Sequence, residues 1–581
     1  MEMSEIKGIN DHKENNIIEI RNLKVWTAEE KSWWTRKIRC IKKDEFIAVL
    51  GPSGAGKTTF LTALAGKCAL PSTGVVTLRG RNIKEIKGIA EMVPQAEAFI
   101  SKLTVMEHLV FMTEMKVGSS MKALNNVILN SLIKDLKLNT LVNTTIAGLS
   151  GGEKRLLSLA GSLLSSPQIL ICDEPTTGLD SYNASLVIQV LKKISGKIVI
   201  CSIHQPSSDL FNEFCSIMLM AEGRLLFHGS QKECSELFKS LNLHCPKSYN
   251  PAEFYIKTIM SNPTMQIQAY KVSKIRDQSI DDETISEAIN VQAESNITQR
   301  NWFVQVYLLL WRSSLVTSRD IRSHIVQLIV CVAISSIIIG TCYVGITGTT
   351  QRGIQDLRGL IWLICSEVCF NLSYNALYIF ESDLTLFRRE VGIYRTSAYF
   401  VARFLGMIPR CVIWPVTFVA IATIAVELPN HIITAMEFVV ALIVAAIAAS
   451  GYGLGMGALF VSSGVISDVM PSADLPLFLM SGAFLRISSL PFWLYPLKYV
   501  SHFYYGMDAL SNIYWRQIDH IDCPSNSTTK CITDGVSVLI ENGYSDNYVL
   551  QDSLGLLFVT LLWSLIAYYG LKREEKIGYA Y

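Results

Sequence analysis

The chain has 581 residues, a formal net charge of +2 and apolar residues at half of its positions. It is too long for one domain, and its balanced charge excludes the basic field of a nucleic-acid binder. A mean hydropathy of +0.31 is high for a soluble enzyme, and the apolar residues gather after about residue 324 in runs of bilayer length. Met1-Glu2-Met3-Ser4-Glu5 is polar with no apolar stretch behind it, which predicts no cleavable signal peptide and a cytosolic first third. The 14 cysteines are mostly isolated, which is not a disulfide framework.

Taken in order, Ile17-Ile18-Glu19-Ile20 and Leu23-Lys24-Val25-Trp26 alternate and predict short antiparallel strands. Trp26 offers a π-face on which a base can stack, or else it is a core aromatic; Trp33 and Trp34 are the substitutes for stacking. The apolar run Phe46–Leu50 predicts a buried parallel strand, and Phe60–Ala65 a helix. Between them stands Gly51-Pro52-Ser53-Gly54-Ala55-Gly56-Lys57-Thr58-Thr59, with the spacing of a phosphate-binding loop. Its glycines let backbone N–H groups turn onto a polyphosphate, and the helix start adds partial positive charge. Lys57 reaches the terminal phosphates, and the Thr58 hydroxyl suits Mg²⁺.

A further strand ends at Met92-Val93-Pro94-Gln95, where Gln95 can reach Mg²⁺ or an attacking water. Residues 103–147 predict helices with Leu103, Val105 and Leu109 on one face. In Leu149-Ser150-Gly151-Gly152-Glu153, the Ser-Gly-Gly opens a helix whose free N–H groups can hold an anion. Ile169–Cys172 predicts a buried strand with Asp173 and Glu174 at its C-terminal end, where open α/β sheets bind ligands. Asp173 suits Mg²⁺, and Glu174 is placed to take a proton from water. Asp180 lies in the polar loop that follows. The strand Ile198–Ile203 runs up to His204, which can bond a γ-phosphate.

These motifs, in this order, resemble an ATP-binding-cassette (ABC) nucleotide domain over roughly residues 16–260. The resemblance implies ATP and Mg²⁺ as cofactors, with Thr58, Gln95 and Asp173 around the metal and Glu174, His204 and Gln95 as catalytic residues. Such domains work as head-to-tail pairs. Ser150, Gly151, Gly152 and Asp180 would therefore serve the partner's ATP in trans, and a second subunit is required.

Residues 261–300 read as a polar linker, and 301–322 as an amphipathic connecting helix on the cytosolic membrane surface. Apolar spans are expected at about 324–345, 359–380, 400–426, 433–461, 465–484 and 550–570 within a membrane domain of 323–581. Six crossings put both termini in the cytosol. Arg312, Arg319, Arg322, Arg388, Arg389, Arg395, Lys572, Arg573 and Lys576 flank the cytosolic ends, while Arg352 and Arg358 weaken the rule on the outer side. The charged stretch Leu386–Arg395 is short enough to dock on the nucleotide domain. The loop at about 485–549 is rich in aromatics suited to the headgroup level, with a re-entrant helix expected. It carries Cys523 and Cys531, which can pair within the chain or bridge to a partner, and the glycosylation triplet Asn526-Ser527-Thr528.

Domain order, Ile203-His204-Gln205-Pro206-Ser207-Ser208, Asn250–Tyr255, Tyr394–Phe400 and Ser481-Gly482 resemble the White/G subfamily of eukaryotic ABC half-transporters. The expected fold is an α/β P-loop NTPase domain at 1–260, followed by an all-α, ABC-2 type membrane domain of six helices. The resemblance implies a dimeric, ATP-hydrolysing exporter of a lipophilic or amphipathic small molecule: a sterol, lipid, pigment precursor or drug. The plasma membrane is the expected location. Phe370, Phe484 and Leu485 are candidates for the substrate path, with core or lipid-facing packing as the other reading. An ATP-gated channel or a regulatory membrane subunit is the alternative to a pump, and no nucleic-acid partner is expected.

Overall fold

The computed structural model describes residues 16–26, 32–34, 38–42, 44–68, 70–78, 81–83, 88–95, 97–117, 122–194, 196–247, 249–261, 300–426, 428–460, 465–523, 531–544 and 549–577. It divides into two compact units, Met1–Asn301 with Ile577–Tyr581, and Trp302–Lys576. The expected linker at 261–300 lies almost wholly outside the described residues.

In the first unit the strands are β1 (Asn16–Trp26), β2 (Ser32–Trp34), β3 (Ile38–Lys42), β4 (Phe46–Leu50), β5 (Ser72–Leu78), β6 (Arg81–Asn82), β7 (Ala90–Val93), β8 (Ile169–Cys172), β9 (Ile198–Ser202), β10 (Ser216–Ala221) and β11 (Arg224–Ser230). They form one sheet in the order β6-β5-β1-β2-β11-β10-β4-β9-β8-β7, with β3 paired to β1. The run β10-β4-β9-β8-β7 is parallel. β4, β8, β9 and β10 are buried at every position, as strands covered on both faces must be, and their sequences are continuous apolar runs rather than alternations. β1 pairs antiparallel with β2, β3 and β5.

The helices of this unit are α1 (Lys57–Leu64), α2 (Val105–Lys116), α3 (Lys122–Asp135), α4 (Gly151–Leu163), α5 (Ser181–Lys192), α6 (Ser208–Asn212), α7 (Gln231–Ser240) and α8 (Pro251–Ser261). Capping boxes start α2, α4 and α7: Thr104 with Glu107, Ser150 with Glu153, and Ser230 with Glu233. Each satisfies two orphan N–H groups and fixes where the helix begins. Parallel strands with helical crossovers leave their C-terminal ends on one edge, which positions the site.

The second unit is helical. Its elements are α9 (Trp302–Arg319), α10 (Ile321–Cys342), α11 (Gln351–Arg389), α12 (Thr396–Ala425), α13 (His431–Phe460), α14 (Ile466–Leu479), α15 (Tyr495–Lys498), α16 (His502–Trp515), α17 (Gly535–Asn542) and α18 (Leu550–Ile577). Among the described residues five helices are long and apolar enough to cross a membrane: α10, α11, α12, α13 and α18. The sixth expected span, 465–484, differs. Only 14 residues of it form a helix, α14, which contains Pro471 and Pro476. At about 1.5 Å per residue it is shorter than the hydrocarbon core, and each proline removes a backbone donor.

Other outer-side expectations are also revised. α16 is buried along its whole length, so Phe503, Tyr504 and Tyr505 pack inside protein; only Phe492, Trp493 and Tyr499 of that aromatic group are exposed. Arg358 is not a stray outer charge. Its guanidinium donates to Asn542 Oδ1 at 2.9 Å and to the carbonyls of Gly482 and Ala483. α9 does not keep its polar residues outside: Gln305 and Arg312 are buried, while Phe303 and Tyr307 are exposed. Arg312 is therefore not a solvated flanking charge. It donates to both oxygens of Glu390, at 2.6 and 2.9 Å, and Tyr394 donates to the same carboxylate at 2.7 Å.

Stripes of glycine bring α13 to backbone distance of two helices. A Cβ on Gly453 would lie 2.1 Å from the Ser373 carbonyl oxygen, and one on Gly457 2.6 Å from that of Leu377, both on α11. One on Gly455 would meet Trp563 of α18 at 2.6 Å.

Candidate functional site

β4 ends deep in the sheet, and the chain leaves it at Gly51, where there is no room for a side chain. A Cβ on Gly51 would sit 2.3 Å from the Met220 carbonyl oxygen. Gly54 and Gly56 take φ of +77° and +89°, the left-handed region that glycine enters without steric cost. Ser53 and Gly54 form the exposed crest of the loop, while Ala55 is buried and its N–H donates to Pro52 O at 3.2 Å. Lys57, the first residue of α1, is buried. Its ammonium turns back into the loop and donates to the carbonyls of Gly51 at 2.8 Å and Pro52 at 3.2 Å. Burial pushes the Lys57 pKa down, against the pull of the Glu174 and Asp173 carboxylates. Thr59 is half-buried and its carbonyl accepts from Thr62.

The ends of β7 and β8 bring Gln95, Asp173 and Glu174 to this loop. Thr58 Oγ1 donates to Asp173 Oδ2 at 2.7 Å. Gln95 Nε2 donates to Glu174 Oε2 at 2.6 Å, and Thr177 Oγ1 donates to the same oxygen at 3.0 Å. Asp173 is buried, whereas Glu174 is half-buried and has φ of +45°, which is uncommon for a non-glycine residue. Asp173 and Thr58 thus present hard oxygen donors of the kind Mg²⁺ takes. His204 lies two residues beyond β9 and is exposed. Trp26 ends β1 half-buried, and its backbone N–H donates to Pro71 O at 3.0 Å.

Ser150 and Asp180 are exposed helix caps. Ser150 Oγ accepts from Glu153 N at 3.3 Å at the start of α4. Asp180 caps α5, and the Asn183 amide donates to it at 2.5 Å, holding its carboxyl below the usual range. Gly151 and Gly152 form the first turn of α4, where a Cβ on Gly152 would press on the Asn183 side chain at 3.1 Å.

Two residues that the motifs do not single out belong to this cluster. Ser202 Oγ donates to Asp173 Oδ1 and accepts from Glu174 N at 2.8 Å. Arg155 donates to the carbonyls of Pro94 at 2.7 Å and Gln95 at 2.8 Å, and lies 3.4 Å from Glu97. No local pattern marks either one: Ser202 lies within the run read as a core strand, and Arg155 follows the Ser-Gly-Gly as an ordinary helix residue.

In the helical unit, Phe370 and Phe484 join Trp362, Phe478 and Phe503 in one aromatic cluster with ring centroids 4.9 to 5.7 Å apart. Phe484 and Leu485 remain exposed. Cys523 and Cys531 are joined within the chain. Asn526 lies outside the described residues.

Known families match both units. The model described as ABC transporter matches residues 39–177, and that described as ABC-2 type transporter matches 304–515. The chain is 32% identical over 565 residues to "Protein white" of Drosophila melanogaster, covering 92% of this chain and 82% of that protein. It is 30% identical over 625 residues to "Protein brown" of the same fly, covering 93% and 92%. A third relative, "ABC transporter ATP-binding protein/permease wht-1" of Caenorhabditis elegans, is 28% identical over 573 residues, covering 91% and 85%.

Proposed function

The chain belongs to the White/G subfamily of ABC half-transporters, and from that membership we propose that it pairs with a second half-transporter to export a lipophilic or amphipathic small molecule. It is a multi-pass membrane protein and an ATP-hydrolysing transport ATPase. The cargo class is a sterol, lipid, pigment precursor or drug. Both termini lie in the cytosol of a plasma-membrane protein. The Cys523–Cys531 bond supports an oxidising outer side for the segment that carries it.

The observation that carries the reading is the convergence of Lys57, Thr58, Gln95, Asp173 and Glu174 on one edge of the parallel sheet. Lys57 donates to loop carbonyls and, with ATP in place, turns that ammonium to the terminal phosphates. Gly51 has no room for a side chain, and the left-handed turns at Gly54 and Gly56 suit a loop whose N–H groups face a polyphosphate. Thr58, Asp173 and Gln95 would hold Mg²⁺, which when bound supplies charge neutralisation at the phosphates. Glu174 accepts the proton of the attacking water, Gln95 orients it, and His204 bonds the γ-phosphate. Ser150, Gly151 and Asp180, exposed at helix starts, close the ATP site of the partner together with the buried Gly152. Phe370, Phe484 and Leu485 line the path of the cargo.

The test is Glu174→Gln in the full-length protein reconstituted in lipid vesicles. Loss of turnover by about a hundredfold or more, with ATP retained in a closed dimer, is the expected result. Near-normal turnover would remove Glu174 from the role of base. Vesicles that move candidate cargo only down its gradient would point to a channel.

A further inference from the structure

β8 and β9 are parallel neighbours in register, with Cys172 opposite Cys201. One residue further on, the two strands deliver Asp173 and Ser202 side by side, and both are buried. The Ser202 hydroxyl serves two consecutive residues at once. It donates its proton to Asp173 Oδ1 and accepts the backbone N–H of Glu174. The second Asp173 oxygen accepts from Thr58. The carboxylate is therefore gripped from two sides, by the phosphate loop and by β9.

The grip on Glu174 has a backbone reason. At φ of +45° this residue sits in a region that non-glycine residues avoid, so surrounding contacts must hold it there. Its partly buried N–H is given an acceptor by the neighbouring strand through a side chain. The left-handed turn points the Glu174 carboxylate toward Gln95 and Thr177, which hold it by hydrogen bonds of 2.6 and 3.0 Å.

We infer that Ser202 is a positioning residue for ATP hydrolysis: its hydroxyl fixes the Asp173 carboxylate and the Glu174 backbone as one rigid pair. The inference rests on the proposed roles of Asp173 and Glu174. Positioning tightens the transition state more than it tightens ATP, because ATP is held chiefly by the loop and Lys57. A satisfied core hydroxyl with no part in hydrolysis would affect only folding.

The experiment compares wild type, Ser202→Ala, Ser202→Thr and Glu174→Gln as full-length dimers in lipid nanodiscs. Ser202→Ala is expected to lower kcat roughly tenfold or more with the KM for ATP within about twofold. ATP binding in EDTA stays unchanged, while amide exchange at Glu174 speeds up because its N–H has lost the acceptor. Ser202→Thr restores the hydroxyl and recovers most of the rate. Unchanged kcat in Ser202→Ala overturns the inference. So does a joint fall of kcat, ATP binding and thermal stability that Ser202→Thr does not rescue. If Glu174→Gln keeps its turnover, the reading of the site fails instead. If Glu174→Gln is inactive and Ser202→Ala is normal, only the role of Ser202 fails.

Discussion

Arg155 holds the backbone carbonyl of Gln95 at 2.8 Å, reaching from the helix that starts at the exposed Ser150. Gln95 and Ser150, which we propose serve opposite ATP sites, are thereby linked through one buried guanidinium and the helix that carries it. Its fork also takes Pro94 O, a geometry a lysine cannot reproduce. Arg155→Lys should therefore behave like a loss. The expected outcome is ATPase activity lowered several-fold, with the Hill coefficient for ATP falling toward one. An unchanged ATP dependence in the reconstituted dimer would show that the two sites communicate by another route.

Glu91 on β7 gathers Lys116 at 3.1 Å, Lys67 at 3.3 Å and Ser165 at 3.3 Å. Burial works against its charge, but the two ammonium groups prevail and hold its pKa down at about 2, from an ordinary 4.5. A carboxyl that ionises more readily when folded stabilises the fold above its unfolded pKa. That support is complete at neutral pH and is lost as pH falls from about 4.5 toward 2. Glu91→Gln should lower the stability of the nucleotide unit by roughly 2–3 kcal/mol at pH 7. Hydrogen exchange in β7 and β8 reads the difference, which should shrink across that acid window.

Arg312 and Glu390 form a buried pair joined by Tyr394. Burial disfavours the Arg312 charge, yet Glu390 more than restores it and raises its pKa above that of a free arginine. Removing one partner leaves the other charge buried and alone, so Arg312→Ala or Glu390→Ala should cost about 3–5 kcal/mol. Arg312→Met with Glu390→Leu should cost much less than either single change. Thermal unfolding of the solubilised chain measures all of these. Additive single effects would mean that the pair is not coupled.

Gly453→Ala places a methyl group against the Ser373 carbonyl, which is helix backbone and has nowhere to move. A loss of about 1–3 kcal/mol is expected. Gly340 on α10 is the control, since a Cβ there meets nothing within 4 Å. Gly340→Ala should leave stability unchanged or raise it by up to about 1 kcal/mol through helix propensity. Equal melting temperatures for the two variants would count against the close approach.

The nucleotide half is legible in the sequence because its chemistry dictates residue types at strand ends, and strand ends are announced by apolar runs. Lys57, Thr58, Gln95, Asp173 and Glu174 meet for that reason. Ser202 and Arg155 are not legible in the same way: their partners depend on strand register and helix packing, which no local pattern states. The membrane half is less transparent. An apolar window reports burial without saying whether lipid or protein does the burying. α16 is covered by protein even though it carries His502, Asp508 and Asn512, and α14 has only 14 residues, with two prolines inside it. The run Gly451-Tyr452-Gly453-Leu454-Gly455-Met456-Gly457 reads as one more apolar span, although glycines four apart are the mark of close helix contact.

That run has a mechanical consequence. Gly453 and Gly457 seat α13 on α11, while Gly451 and Gly455 seat it against α18. Helices that touch through bare backbone cannot slide by less than a turn without driving side chains into carbonyls. α13 and α11 should therefore move together as a single stiff beam. α10, whose apolar stretch is only 11% buried, is not clasped in this way. Whatever alternation of access the membrane half performs, the beam should tilt as a whole, and the flexing should fall on its lightly held neighbours.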